Sequence, residues 1–208
     1  WPRTAAIAER LWSAENITDV ADMRRRLETI SFRLEELGLT HIRNKDVILR
    51  NIANNQNIKS LDDFSNVCEP LKGYTRNKDG TEYQTYSPFT LFADACTPDA
   101  KDALAFDEAV KQYLAGKTPE NKAKIAAFFS KWIALNKELN DLSANAPLVQ
   151  PILPLAKKLS DASQELLLFL DNKSTLKSQD LKSLIEQCNT KDHADVELAV
   201  YASLKKLI

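Results

Sequence analysis

The sequence predicts a mainly α-helical protein, an up-and-down helical bundle preceded by two helices and a stretch holding a short β-hairpin. Three observations carry this. Apolar residues recur at alternating spacings of three and four, as they do on one face of a helix. Start signals such as Thr118-Pro119-Glu120 and stop residues such as Gly38 bracket these seams. The links between the long seams are short, which favours neighbouring helices packed side by side.

Pro2 suits a first helical position, where its missing N–H costs nothing, and Ala5, Ala8, Leu11 and Trp12 then fall at helical spacing. Asp19 can cap a second helix along Val20, Met23, Leu27, Ile30, Leu34 and Leu37, which Gly38 stops as a left-handed cap residue. Residues 41–97 are the least regular. Asn54-Asn55-Gln56-Asn57 is a polar break, and Ser60-Leu61-Asp62-Asp63-Phe64 reads as a short capped turn of helix. Asn77-Lys78-Asp79-Gly80, flanked by Thr and Tyr, reads as a hairpin turn.

From Thr97 the helical pattern is nearly continuous. Thr97-Pro98-Asp99 opens a helix with Phe106, Val110 and Tyr113 on one face, and Gly116 ends it. After Thr118, the seam Ile125, Phe128, Trp132, Leu135, Leu139 and Leu142 defines the next helix. A third seam runs through Leu148, Ile152, Leu155, Leu159, Ala162, Leu166 and Phe169, with Pro151 and Pro154 giving it a kink or a delayed start. Two shorter helices, about Ser178–Cys188 and Lys191–Leu207, complete the bundle.

Composition removes whole classes of chemistry. The chain has 208 residues, a net charge of −1 and 4 glycines, each isolated. No glycine-rich phosphate loop can be built from these, and nothing argues for nucleic acid. No apolar run approaches the ~20 residues of a membrane span. His41 and His193 are the only histidines, and Cys68, Cys96 and Cys188 lack zinc spacing, so no cofactor and no metal are expected. The cysteines read as thiols, or as a Cys68–Cys96 disulfide in an exported protein. Eight of the nine arginines precede residue 60 while 17 of 19 lysines follow it, which places a boundary near residues 55–90. The chain opens on Trp1-Pro2-Arg3, with its single methionine at Met23 and no signal peptide, and is read as a piece of something longer.

The opening Trp1-Pro2-Arg3-Thr4-Ala5-Ala6-Ile7-Ala8-Glu9-Arg10-Leu11-Trp12 resembles the W-P-R-x-x-A-x-A-E-R-x-W segment that closes the catalytic domain of family 20 glycoside hydrolases, the β-N-acetylhexosaminidases. Arg26-Leu27, Arg33 and Gly38 continue the likeness through about residue 40. Weaker likenesses to the tail of some bacterial members lie in Glu69–Arg76 and Phe92–Ala95. The resemblance implies a (β/α)₈ barrel whose last helices survive in residues 1–54, a linker with the hairpin over 55–96, and a helical accessory module over 97–208. It implies a parent that hydrolyses terminal non-reducing N-acetylhexosamine residues with help from the substrate's 2-acetamido group. The parent is expected to be exported, with the upstream barrel as this segment's partner. In the family the catalytic Asp-Glu pair lies upstream of the motif, so no catalytic residue is assigned here and the segment alone is expected to be inactive. Glu9 and Arg10 are expected in an ion pair that packs helix against barrel.

Other residues invite roles. Tyr74, Tyr83 and Tyr86, with Phe89 and Phe92, would make a glycan-stacking platform, against the plainer reading of a hairpin packed on the bundle. This makes a glycan-binding module the alternative function, and a freestanding helical interaction protein a further one. Asp62-Asp63 and Asp94 with Asp99 read as caps rather than acid pairs. Thr75, Asn77 and Asp79 resemble a calcium loop, but Tyr86 stands where its glutamate belongs. Trp132 reads as core, and Arg24-Arg25-Arg26 as a solvated face with Arg26 turned to the barrel. The Ala5/Ala8/Leu11/Trp12 face, stripped of barrel strands, is expected to dock on the bundle, pair with a second copy or be disordered.

Overall fold

In the computed structural model, residues 2–72, 75 and 92–208 are described. The expected hairpin and Tyr74, Tyr83, Tyr86 and Phe89 lie outside them. The fold is mainly α, and the chain divides into two units, Trp1–Val47 and Ile48–Ile208.

The first unit holds α1 (Pro2–Trp12), α2 (Val20–Glu36) and the beginning of α3 (His41–Ile52). Asp19 caps α2 by accepting the Asp22 N–H at 3.0 Å. At its far end Gly38 adopts φ +95°, and the Leu39 N–H folds back onto the Leu34 carbonyl at 2.9 Å. That left-handed step is cheap for glycine and stops the helix as expected. The start of α3 corrects the reading of residues 41–52 as irregular. Its cap comes from a neighbour: the Glu35 carboxylate accepts the N–H groups of Ile42 and Arg43 at 2.9 and 3.3 Å. Thr40 stands at the cap position and its carbonyl accepts the Asn44 N–H at 2.9 Å, while these two side-chain bonds come from Glu35.

The second unit contains the core. It comprises α4 (Lys59–Ser65), β1 (Cys68–Pro70), α5 (Phe92–Ala95), α6 (Lys101–Ala115), α7 (Pro119–Ser143), a 3₁₀ turn (Pro147–Ile152), α8 (Leu153–Leu170), α9 (Ser178–Glu186), β2 (Val196–Leu198) and α10 (Tyr201–Lys205). Thr118 caps α7 by accepting the Asn121 N–H. Polar links fix the helix directions. Asn121 donates to the carbonyls of Gln112 and Gly116, and Lys131 pairs with Asp102 at 2.7 Å, so α6 and α7 run antiparallel. Lys122 near the start of α7 meets Asp171 just past the end of α8 at 2.8 Å, which makes that pair antiparallel too. Small buried residues on α8 (Ala156, Ser160, Ala162, Ser163) let α7 approach closely.

Phe106, Phe129 and Trp132 are fully buried, with Phe106 edge-on to Trp132 at 4.8 Å and to Phe129 at 5.7 Å. The expected seam named Phe128, but Phe129 takes the core and Phe128 is only partly covered against it. Similarly, Leu170 is buried where the pattern named Phe169, and Val149 where it named Leu148. The prolines act as a delayed start: Pro151 sits in the 3₁₀ turn and Pro154 in the first turn of α8, where neither breaks a needed bond.

Two further expectations are corrected. The helix expected from Thr97-Pro98-Asp99 begins at Lys101, because Asp99 takes φ +63° and its N–H donates to the Glu69 carboxylate at 2.9 Å. The N–H groups of Asp102 and Ala103 are then satisfied by the Asn66 carbonyl, a tertiary substitute for a local cap. The helix expected over Lys191–Leu207 is instead a loop, strand β2 and the short α10. Val196 and Leu198 are buried while Glu197 between them is not, the alternation of a strand. β2 pairs antiparallel with β1, Cys68 opposite Leu198 and Pro70 opposite Val196. The C-terminal end is tied to α6 by Asp107, which accepts from Ser203 Oγ and Lys206 Nζ at 2.7 Å each and pairs with Lys111 at 2.8 Å.

Truncating Trp132 to alanine removes the centre of this cluster. A loss of about 3–5 kcal/mol is expected in urea unfolding of the second unit. Acid sensitivity is expected at Asp107, whose carboxyl is held well below its usual range by hydrogen bonds from Lys111, Lys206 and Ser203. A depressed folded-state pKa gives stability that is present above the unfolded value of about 4 and lost as pH falls below it. Unfolding midpoints of Asp107→Asn should therefore fall less steeply on acidification than those of the unaltered chain.

Candidate functional site

The residues of the opening motif converge in the first unit. Arg26 on α2 grips Glu9 on α1 with both terminal nitrogens, Nη2 to Oε1 at 2.8 Å, while its Nε holds Asp22 at 2.7 Å. Hydrogen bonds donated to Glu9 first and Asp22 second raise the Arg26 pKa, and those received from Arg26 and Arg25 lower that of Asp22. The fork geometry gives orientation as well as attraction, which a lysine would not supply. Arg10 turns the other way. Its guanidinium donates to the carbonyls of Ile17, Glu15 and Ala14 at 2.8, 3.2 and 3.4 Å, closing the link between α1 and α2. The ion pair expected of Glu9 thus has its partner on the next helix, and Arg10 holds backbone rather than a carboxylate. Arg26 was read as turned to a barrel; here it is the centre of the α1–α2 clasp.

The clasp leaves apolar side chains uncovered. No described residue of the first unit is fully buried. Leu11 is 79% exposed, Trp12 91%, Phe32 63% and Leu37 82%. Ile7, Val20, Ile30 and Val47 are exposed as well. A groove of about 630 Å³ runs between α1 and α2, floored by Ala5, Ala6, Ala8, Leu27 and Ile30 and edged by Glu9, Arg25 and Arg26. Large apolar side chains so exposed on one small unit are unusual in a soluble monomer.

The other candidate residues have structural employment. Phe92, proposed for a glycan platform, is buried and stacked on Phe64 at 5.7 Å, because α5 turns it into the core. Asp63 pairs with Lys59 and Lys131 at 2.6 and 2.9 Å. Burial pushes its carboxyl upward, but the two ammonium groups outweigh this and hold it low. His41 contacts Ser31 Oγ and the Leu39 carbonyl, and His193 faces Lys158 Nζ at 3.2 Å, with burial and that charge lowering its pKa. All three cysteines are buried. Burial pushes the Cys188 thiol up to about 12. Among the described residues no three His, Cys, Asp or Glu side chains group to hold a metal, and no helix is long and apolar enough to cross a membrane.

The clasped helix pair carries the W-P-R motif that resembles family 20 glycoside hydrolases. Among solved structures the chain is similar to a family 20 chitobiase. The crystal structure of a chitobiase from Flavobacterium johnsoniae matches it with a TM-score of 0.97 and 85% sequence identity, covering 100% of this chain and 32% of that one. The chain therefore spans about a third of the length of the chitobiase it matches. No family model matches the sequence, and no curated protein does.

The clasp gives a direct expectation. Arg26→Lys keeps the charge but loses the fork, so circular dichroism should register reduced order in α1, while urea unfolding of the second unit stays unchanged. Replacing both Leu11 and Trp12 by serine should markedly lower the binding of an apolar dye to the isolated chain.

Proposed function

We propose that this chain is the C-terminal portion of an exported β-N-acetylhexosaminidase that releases terminal non-reducing N-acetylhexosamine residues. Residues 1–54 form the end of its catalytic domain, residues 55–96 a linker whose α4, β1 and α5 pack into the second unit, and residues 97–208 a non-catalytic helical module that braces the enzyme. The observation that carries this reading is the bare apolar face of the first unit, in a chain 85% identical to about a third of a chitobiase. The remainder of such a polypeptide is the surface that would cover Ile7, Leu11 and Trp12, and the reacting carboxylates belong to that remainder. The seams of the second unit are spent on packing, which suits a brace.

The test is made on the full-length polypeptide. It should hydrolyse a chromogenic N-acetylglucosaminide, and the isolated 208-residue chain should not. Trp12→Ala in the full-length enzyme should lower its melting temperature by several degrees, the scale on which loss of a buried aromatic registers. Deleting residues 97–208 should lower stability or alter assembly, while the enzyme that remains folded keeps its kcat/KM. Hydrolysis by the isolated chain would overturn the assignment of chemistry to the remainder. A Trp12→Ala enzyme that melts unchanged, with the isolated chain forming stable dimers, would identify a second copy as the occupant of that face.

The glycan reading rests on Tyr74, Tyr83 and Tyr86 alone. Titration of the full-length enzyme and its triple alanine variant with N-acetylglucosamine oligomers decides it: equal affinities remove these tyrosines from substrate contact.

A further inference from the structure

Four contacts lay residues 92–103 against residues 64–69. Phe64 stacks on Phe92 at 5.7 Å. The Asn66 carbonyl accepts from the N–H groups of Asp102 and Ala103 at 2.9 and 3.2 Å. Glu69 accepts from the Asp99 N–H at 2.9 Å. Helix α5, which ends at Ala95, packs on β1, which begins at Cys68. Within the region these ties bound stand Cys68 and Cys96, 0% and 6% exposed, both in one apolar cluster.

We infer that Cys68 and Cys96 are a disulfide-forming pair, and that the bond between them ties β1 to the residue that follows α5. The close approach also appears in the electrostatics, since burial first and the neighbouring Cys96 second raise the Cys68 thiol well above its usual value. A thiol so buried yields little thiolate, and thiolate is the attacking species. The bond is therefore made while the chain folds, before the core closes. One cysteine thiolate attacks a small-molecule or oxidoreductase disulfide and expels one thiol. The second cysteine then attacks the mixed disulfide, loses its proton to solvent and expels the other thiol. Two cysteine thiols are oxidised and one external disulfide is reduced, so the step balances. Cys188 is buried against the Lys158 carbonyl, outside the contacts that bring the other two together, and is expected to remain a thiol. Occurrence of the bond in the cell rests on the exported parent proposed above, because export supplies the oxidising compartment.

The experiment separates the two ideas. The full-length polypeptide is unfolded, refolded in a buffer of oxidised and reduced glutathione, alkylated under denaturing conditions and mapped by peptide mass spectrometry. The expected result is loss of alkylation at Cys68 and Cys96 together, a linked peptide lighter by two hydrogens than its halves, and Cys188 still alkylated. The melting temperature should also shift upward relative to Cys68→Ser, a difference that a reductant abolishes. Alkylation of both Cys68 and Cys96 after refolding, or a link through Cys188, overturns the pair. The same map on enzyme recovered from the producing cell tests the compartment. A pair that forms in buffer but is reduced in that enzyme upholds the inference and counts against export.

Discussion

The second unit depends on one contact: Phe106 set edge-on into Trp132, with Phe129 against both. Two helices that meet through large rings have little freedom of register, because a ring displaced by one turn would leave a void that nothing else fills. The contact fixes α6 on α7, and the antiparallel polar links then extend that register to both ends of the pair. Helix α8 takes its place on α7 by the opposite device, a run of small side chains that brings backbones close. Large-to-large on one side and small-to-large on the other let a single helix serve as the axis of the unit.

The two units use charge for different ends. In the second, the Asp63–Lys131–Asp102 group and the Asp107 group sit over a core already closed, so they orient elements that apolar packing holds. In the first, the Glu9–Arg26–Asp22 clasp orients two helices that have almost no core of their own. A solvent-exposed pair of this kind contributes little, because water and salt screen it. It can set an angle but cannot replace buried area. This difference is why the first unit, unlike the second, leaves large apolar side chains exposed.

Elements whose instructions are local were legible in the sequence. Gly38 ended α2, Thr118 opened α7, and Pro151 with Pro154 delayed α8, each through bonds made within a turn of the residue concerned. Elements whose instructions come from far along the chain were not. The start of α6 needed Glu69 and Asn66, the start of α3 needed Glu35, and β2 needed β1 to pair with. The choice of Phe129 over Phe128 shows a limit of another kind: on adjacent residues, a helical seam cannot say which ring the neighbouring helix will meet. At the site, the motif pointed to an ion pair of Glu9 and Arg10, whereas Glu9 pairs with Arg26 and Arg10 holds the carbonyls of the turn between α1 and α2, partners that only the fold supplies.

The shared acceptor at Asn66 has a consequence for how the unit is assembled. Helix α6 lacks a cap of its own, so its first turn is completed only when a carbonyl about 35 residues earlier arrives beside it. Closing that span costs chain entropy before any bond repays it. The helix should therefore grow from its C-terminal side, where Gln112 and Gly116 meet Asn121 across a short link, and lock at its N-terminus last. Order in the folded unit spreads outward from the tight α6–α7 hairpin, and the arrival of α4 and β1 marks its completion.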